Sequence, residues 1–108
     1  MTARLEEVDL AGLDEVLLAE RRGVVIDFWG TWCQPCRTLR PHLEQMASDH
    51  ADWWRFVAVH TDEQIDVAAK YGVMCTPTLV FVDGGVEVDR LTGAATPSAI
   101  TEVLVKQS

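Results

Sequence analysis

Residues 24–36, VVIDFWGTWCQPC, join a short apolar run to two cysteines that are separated by two residues. The run over residues 24–29 is too short for a surface helix. Its β-branched and aromatic side chains favour a central strand that is buried on both faces. Helical spacing of apolar residues begins after Cys33. The sequence therefore predicts that the cysteine pair lies where a buried strand meets the N-terminus of a helix.

Helices are predicted on both sides of this strand. Residues 10–22 have helical apolar spacing, and Gly23 is predicted to end that helix. The helix after Cys33 has Pro35 in its first turn, where proline is tolerated, and an interior Pro41 that should kink it. Its inward-facing stripe comprises Cys36, Leu39, Leu43, Met46 and Ala47. Three charged residues are expected off the stripe: Arg37, Arg40 and Glu44.

The second half of the chain predicts a strand, a short helix, a hairpin and a final helix. The strands cover residues 55–60, 78–82 and 86–91, with a glycine-rich turn at 83–85. The short helix is predicted to begin at a capping box formed by Thr61 and Gln64 and to stop at Gly72. Thr96 and Pro97 open the last helix. This order indicates one α/β domain over residues 1–108, with a mixed central sheet and helices on both faces.

Charge and composition exclude several classes of function. The 108 residues carry a net charge of −8, which disfavours binding to a phosphate backbone, so we expect no nucleic-acid partner. The first residues, MTARLEEVDLAG, lack the basic and apolar regions of a signal peptide. No apolar run approaches the roughly 20 residues that span a bilayer, so we expect no membrane partner. The expected location is the cytoplasm.

The pair Cys33 and Cys36 has the chemistry of a redox centre. Unpaired amides at a helix N-terminus stabilise a thiolate, and the thiolate is the form that attacks disulfides. Two other interpretations are a pair of buried structural cysteines and half of a zinc site. A structural zinc needs four protein ligands, and no histidine lies at ligand spacing from this single C-x-x-C. The strand-to-helix context favours redox chemistry over metal binding, and we expect no metal.

The sequence WCQPC resembles the W-C-G-P-C signature of the thioredoxin family. The similarity extends over VVIDFWGTWCQPC, over AAKYGVMCTPTLVFVDGG and to Gly93-Ala94. It implies a thioredoxin fold and a protein-disulfide reductase in which Cys33 attacks the substrate disulfide and Cys36 resolves the mixed disulfide. It also implies disulfide-containing protein substrates and reduction by an NADPH-dependent flavoprotein, thioredoxin reductase. No cofactor bound to the chain itself is expected.

Asp27 is the one charged residue in the apolar strand. Strand alternation puts Val25, Asp27 and Trp29 on one face. The resemblance implies that the helix from Cys33 covers this face, which places the carboxyl beneath Cys36. A buried carboxyl has a raised pKa and can accept a proton near neutral pH, so Asp27 is the candidate base, acting through a water. The alternative is an aspartate at a strand end with its carboxyl in solvent.

The resemblance also assigns positions around the cysteines. Pro77 corresponds to a cis-proline that faces the pair and, with Thr76, receives the substrate backbone. Gly93 lines the substrate groove, and Trp32 lies over the active-site loop. Supporting positions are Trp29 beneath the loop, Gln34 and Pro35. His42, His50 and His60 carry no functional signal and are interpreted as structural or solvated.

Three positions depart from the family pattern. Gln34 replaces the usual glycine, which leaves the reduction potential open. Ala58 stands where the family usually has a lysine near the buried aspartate. Cys75 is an additional thiol in a loop, so we expect it to be exposed at the rim of the groove. The expected state is a monomer, with a covalent dimer through Cys75 under oxidising conditions.

Three other functions are compatible with the sequence. One is a thioredoxin-fold oxidant or isomerase, which the redox potential would distinguish. A second is a metal- or cluster-binding module that uses Cys33, Cys36 and Cys75. The third is a non-catalytic protein-binding module whose contact surface lies around Trp32.

Overall fold

The structure is a computed structural model that describes residues 4–93 and 95–107. Over these residues the chain forms five strands and four helices. In chain order they are β1 (Glu6–Glu7), α1 (Leu10–Ala19), β2 (Gly23–Trp29), α2 (Gln34–Asp49), β3 (Trp54–His60), α3 (Ile65–Lys70), β4 (Thr78–Asp83), β5 (Val86–Thr92) and α4 (Pro97–Gln107). The predicted mixed α/β architecture is confirmed.

The strands form one sheet in the order β1-β3-β2-β4-β5. The β1, β3 and β2 strands are mutually parallel, whereas β4 runs antiparallel to β2 and β5 antiparallel to β4. The β2 strand is central and buried from Gly23 to Phe28, as its apolar sequence predicts. Asp27 pairs with Ala58 on β3 and with Leu79 on β4.

Two apolar layers cover the faces of the sheet. Val25 packs in one layer with Leu39 and Leu43 of α2 and with residues of α4. Ile26 and Phe28 pack in the opposite layer with residues of α1 and α3. Alternation along β2 therefore places Asp27 on the face that α2 covers, as expected. The inward stripe of α2 is confirmed, because four of its residues are buried: Cys36, Leu39, Leu43 and Met46.

The predicted end of the first helix was wrong. The α1 helix ends at Ala19, and Gly23 is the first residue of β2. A Cβ at Gly23 would lie 2.4 Å from the ring of Trp54, far inside normal contact distance. The glycine is therefore required for close packing between β2 and the indole, and it does not act as a helix stop.

The capping box at Thr61 was also wrong. The α3 helix begins at Ile65 with Gln64 as its N-cap, and no side chain caps it. The hydroxyl of Thr61 donates instead to the backbone carbonyl of Trp29, at 3.0 Å. The stop of this helix is confirmed, since Gly72 follows it with a φ of +63°.

The hairpin and the last helix are as predicted. Gly84 and Gly85 both have positive φ and form the turn between β4 and β5. Thr96 accepts a hydrogen bond from the backbone N–H of Ala99 at the start of α4. In the described part of the chain, none of the helices is both long and apolar enough to cross a membrane.

Candidate active site

Cys33 and Cys36 are joined by a disulfide bond at the N-terminus of α2, with their Cα atoms 5.3 Å apart. Cys33 is the N-cap residue, and its sulfur accepts a hydrogen bond from the backbone N–H of Cys36. Cys33 is half-buried, whereas Cys36 is only 5% exposed because it begins the inward stripe. The inward position predicted for Cys36 is confirmed, and Cys33 carries the more accessible of the two sulfurs.

The loop before Cys33 is fixed by contacts from two elements. The Arg37 guanidinium on α2 donates to the carbonyl of Thr31 at 2.5 Å and to the Gln34 side chain at 3.3 Å. The Thr31 hydroxyl lies 2.7 Å from Nε2 of His60, at the end of β3. The His60 ring also meets the Trp29 indole edge-on, with ring centroids 4.4 Å apart. His60 is therefore structural, as predicted. The sequence analysis did not predict that Arg37 holds this loop.

Two clefts flank the cysteine pair. The first, of about 500 Å³, contains five of the residues assigned from the sequence: Trp32, Cys33, Gln34, Pro35 and Thr76. Trp32 is 91% exposed, which is unusual for a tryptophan in a folded chain. The second cleft, of about 290 Å³, shares Gln34 and Pro35 with the first and includes Leu39, His42 and Pro77. The structure thus brings most of the predicted substrate-binding residues together around Cys33.

The proline loop lies beside this site. The Thr76–Pro77 peptide bond is cis, as the resemblance implied. The Pro77 carbonyl accepts a hydrogen bond from the N–H of Gly93 at 2.8 Å, and Gly93 has a φ of +84°. Gly93 is therefore held against Pro77 in a conformation that favours glycine. Ala94, its neighbour in the sequence resemblance, lies outside the described residues.

Asp27 is 1% exposed, so the alternative of a carboxyl in solvent was wrong. Its Oδ2 lies 3.2 Å from Nη2 of Arg40, and within the described residues Oδ1 receives no hydrogen bond. Burial raises the pKa of Asp27 from 3.8 to about 6; Arg40 opposes this rise and Glu7 adds to it. Cys36 lies one helical turn before Arg40 on the same face of α2. The structure therefore holds a buried carboxyl of raised pKa against the same face of α2 that carries Cys36.

Arg40 joins Asp27 to a second carboxylate. Its Nη1 donates to Oε2 of Glu7 at 3.3 Å, and its guanidinium lies 5.1 Å from the centre of the Trp29 ring. The indole N–H of Trp29 donates to the other oxygen of Glu7 at 2.9 Å. Arg40 lies off the buried stripe, as predicted, but its side chain is only 24% exposed because it reaches back to Asp27, a contact that the sequence analysis missed. The available signal was its position four residues after Cys36, which puts both on one helix face.

Glu7 could not have been found from the sequence pattern. It belongs to β1, a strand of two exposed glutamates that pairs with β3. Two residues are too few to show strand alternation. With Arg40, Trp29 and His60, Glu7 lines a cleft of about 730 Å³ that shares no residue with the clefts beside Cys33.

Cys75 is exposed, as expected. It lines a small surface depression with Met74 and Thr76, and Thr76 also lines the cleft at Cys33. The Cys75 carbonyl accepts a hydrogen bond from the hydroxyl of Thr78 at 2.7 Å. The thiol therefore lies at the rim of the site, on a loop that is tied to β4.

Across residues 4–93 and 95–107, no three histidine, cysteine or acidic side chains are grouped so that they could hold a metal ion. The sulfurs of Cys33 and Cys36 are bonded to each other.

A disulfide with one accessible and one covered sulfur, at the junction of a central strand and a helix, defines a thiol-disulfide oxidoreductase. The family model for thioredoxin matches residues 5–106, and the chain belongs to the thioredoxin family.

Relatives and solved structures agree with this assignment. The chain is 35% identical to thioredoxin 1 of Nostoc over 106 residues, which cover 98% of each protein. It is 32% identical to thioredoxin of Synechocystis, over 93% of this chain and 94% of the relative. Its fold matches the crystal structure of thioredoxin NaTrxh from Nicotiana alata with a TM-score of 0.89 at 27% identity, covering 98% of this chain and 94% of the other.

Proposed function

We propose that this thiol-disulfide oxidoreductase works as a reductant of protein disulfides. One observation carries the proposal: the accessible Cys33 caps α2 and is bonded to Cys36, which is buried on the same helix face as the cation that contacts Asp27. An accessible nucleophile, a covered resolving thiol and a buried base are the groups that reduction of a disulfide requires.

In the first step of the proposed reaction, the Cys33 thiolate of the reduced protein attacks one sulfur of a substrate disulfide. A mixed disulfide forms, and the second substrate sulfur leaves as a thiolate that takes up a proton. The N-terminal amides of α2 favour the Cys33 thiolate because they present partial positive charge to the sulfur. Trp32, Thr76, Pro77 and Gly93 are proposed to contact the substrate backbone around this sulfur.

In the second step, Cys36 gives its proton to the Asp27 carboxylate, directly or through a water. The Cys36 thiolate attacks Cys33, the Cys33–Cys36 disulfide forms, and the remaining substrate sulfur leaves as a thiolate. Two electrons have passed from the dithiol to the substrate. The bond thus formed is the one that the oxidised chain contains.

The chain must then be reduced again. We propose that the reductant is an NADPH-dependent flavoprotein thioredoxin reductase, in keeping with membership of the thioredoxin family. In this cycle the chain carries electrons to protein disulfides and contributes to redox homeostasis. The cytoplasm is the proposed location. Named relatives include chloroplastic M-type thioredoxin of Pisum sativum, so location needs a direct test, such as fractionation of the source cells.

A reductase assay on a disulfide-containing protein such as insulin tests the proposal. With reductase and NADPH, the wild-type chain should reduce insulin, and Cys33→Ser should have no activity. Replacing Cys36 by serine should trap mixed disulfides with substrates. Trapping by Cys33→Ser instead would reverse the roles of the two cysteines, and failure of the wild-type chain to reduce insulin would reject the proposal.

Gln34 supports a second candidate, an oxidant or isomerase. It lies between the cysteines, and its side chain accepts a hydrogen bond from Arg37, which a glycine at this position could not do. Residues between the cysteines influence the reduction potential, which spans roughly −270 to −120 mV among disulfide oxidoreductases. Redox equilibration against glutathione decides between the candidates, because a reductant should lie near the lower end of this range.

A further inference from the structure

The buried carboxylate of Asp27 has an unusual source of positive charge. Its direct neighbours in the sheet are Ala58 on β3 and Leu79 on β4, neither of which can be charged. The cation comes from the helix instead, because Arg40 reaches Asp27 from α2.

The other groups packed around this carboxyl are few. The α4 helix presents apolar side chains to this layer. Within the described residues, the titratable or charged groups on this side of the sheet are Arg40 and the reduced Cys36 on α2, Glu7 on β1, and His60 of β3, whose ring contacts Trp29. Arg40 is the cation that contacts the carboxyl, and Glu7 is the anion paired with that cation.

We propose that Arg40 is a positioning residue for the exchange reaction, which holds Asp27 by Oδ2 so that Oδ1 takes the proton of Cys36. The inference rests on the proposed function, in which Asp27 is the base. Among the described residues Oδ1 receives no hydrogen bond, so it is the oxygen with free capacity for a proton. A carboxyl protonated at Oδ1 keeps its contact with Arg40 through Oδ2, and the geometry serves both protonation states.

Glu7 and Trp29 hold the Arg40 guanidinium in one position. The long side chain of Arg40 loses rotamer freedom when it is fixed, and a second carboxylate and the face of an indole offset that cost. Trp29 is itself held by Glu7 through its indole N–H. Three side chains from β1, β2 and α2 therefore fix one another around a single orientation of Arg40.

Glu7 also limits how strongly Arg40 stabilises the Asp27 carboxylate. An arginine beside an aspartate normally lowers its pKa, which would make the carboxylate a poor base near neutral pH. The charge of Glu7 opposes that of Arg40, and burial of the carboxyl outweighs both. The balance leaves a carboxyl whose pKa of about 6 allows it to take up and release a proton near neutral pH.

The test is a titration of Asp27 by carbon NMR of its carboxyl in the oxidised protein, together with the pH dependence of mixed-disulfide resolution. Arg40→Gln removes the cation and should raise the pKa of Asp27 by about one unit. Glu7→Gln keeps one acceptor oxygen, replaces the other by an amide NH2 and removes the anion, and it should lower the pKa of Asp27. Arg40→Lys should restore most of the wild-type value.

In each variant, the pH at which the rate of mixed-disulfide resolution is half-maximal should shift in the same direction as the pKa of Asp27. Arg21→Gln removes an equal charge at an exposed position outside this layer and should leave the pKa of Asp27 unchanged. An unchanged pKa in folded Arg40→Gln would overturn the proposal. Shifts of the same sign in Arg40→Gln and Glu7→Gln, or a slower resolution rate with an unmoved midpoint, would also overturn it, since either result means a merely structural role.

Failure of the positioning role can be distinguished from failure of the proposed function, because different experiments test them. The insulin assay on the wild-type chain tests the function. The NMR titration measures Asp27 in the resting oxidised protein and needs no turnover. If the wild-type chain reduces insulin but the pKa of Asp27 does not change in Arg40→Gln, the proposed function stands and the positioning role of Arg40 is rejected.

Discussion

The sulfur of Cys33 accepts a hydrogen bond from the backbone N–H of Cys36 at 3.2 Å, so the first turn of α2 is directed at the nucleophilic sulfur. Amides at a helix N-terminus carry partial positive charge, and an anion placed there is stabilised. The same amide is available to the Cys33 thiolate once the disulfide is reduced, and this relationship leads to the first prediction.

In the reduced protein, Cys33 should react with iodoacetamide at pH 7 at least about tenfold faster than Cys36, because its thiol is more acidic and more accessible. Mass spectrometry of peptides after a timed quench measures both rates. The experiment uses a Cys75→Ala background, which removes the third thiol. Equal rates would show that the helix N-terminus does not distinguish the two sulfurs.

Asp27→Asn should raise the free energy of unfolding of the oxidised protein at pH 8 by up to about 3 kcal/mol. The folded protein holds the Asp27 proton more tightly than the unfolded chain, since burial raises the pKa from 3.8 to about 6. This group's contribution to stability therefore falls as pH rises from about 4 to about 6 and stays lower above it. Urea unfolding at pH 4 and pH 8 measures the difference.

The gain in Asp27→Asn should accordingly disappear at pH 4, and mixed-disulfide resolution should slow. Asp52→Asn, the same change at an exposed site, should alter stability little at either pH. A resolution rate in Asp27→Asn that equals the wild-type rate from pH 6 to pH 9 would remove Asp27 from the mechanism.

Gly23→Ala should destabilise the fold by about 1–3 kcal/mol, because the added methyl group would lie 2.4 Å from the Trp54 ring. Denaturant unfolding measures the loss. Combined with Trp54→Leu, which removes the indole, the substitution should cost much less than it does alone. Strictly additive effects of the two changes would mean that the glycine is needed for some reason other than the ring.

Cys75 should be alkylated in the native oxidised protein, because it is exposed while the other two cysteines are bonded to each other. Mild peroxide should then join two chains through Cys75, with each pair of thiols losing two electrons to one peroxide. Non-reducing electrophoresis should show a dimer in wild type and none in Cys75→Ala, whose reductase activity should remain. Native protein that resists both alkylation and dimer formation would contradict the exposed position.

Sequence reasoning reached the central elements because their signals are periodic. The uniform burial of β2 and the inward stripe of α2 follow from apolar spacing, and the position of Asp27 follows from alternation. Gly23 was wrongly predicted to end α1. Its real role is to leave room for the ring of Trp54, which lies 31 positions later in the chain, and the local sequence cannot distinguish such a glycine from one that ends a helix. The capping box at Thr61 was predicted wrongly for a similar reason, since the hydroxyl bonds instead to the backbone carbonyl of Trp29, which is distant in sequence.

The main feature that the sequence analysis did not predict is the positive charge of Arg40 next to Asp27. Ala58 correctly indicated that its position on β3 supplies no cation to Asp27, but the placement of Arg40 off the buried stripe gave no sign that its side chain reaches Asp27. A long side chain can leave the polar side of a helix and reach a buried partner, which residue type alone does not reveal. Glu7 was hidden in a strand too short to recognise, although it completes the pair.

The cleft at Glu7 and Arg40 shares no residue with the clefts that flank Cys33. Arg40, which contacts Asp27, lines the first of these clefts, whereas Trp32 and Pro35, the proposed docking residues, line the others. In the proposed cycle, the proton accepted by Asp27 can then leave past Arg40, by a path that does not pass through the docking surface. Product release and deprotonation of the base would need no fixed order, and buffer could affect the second event without competing for the docking surface.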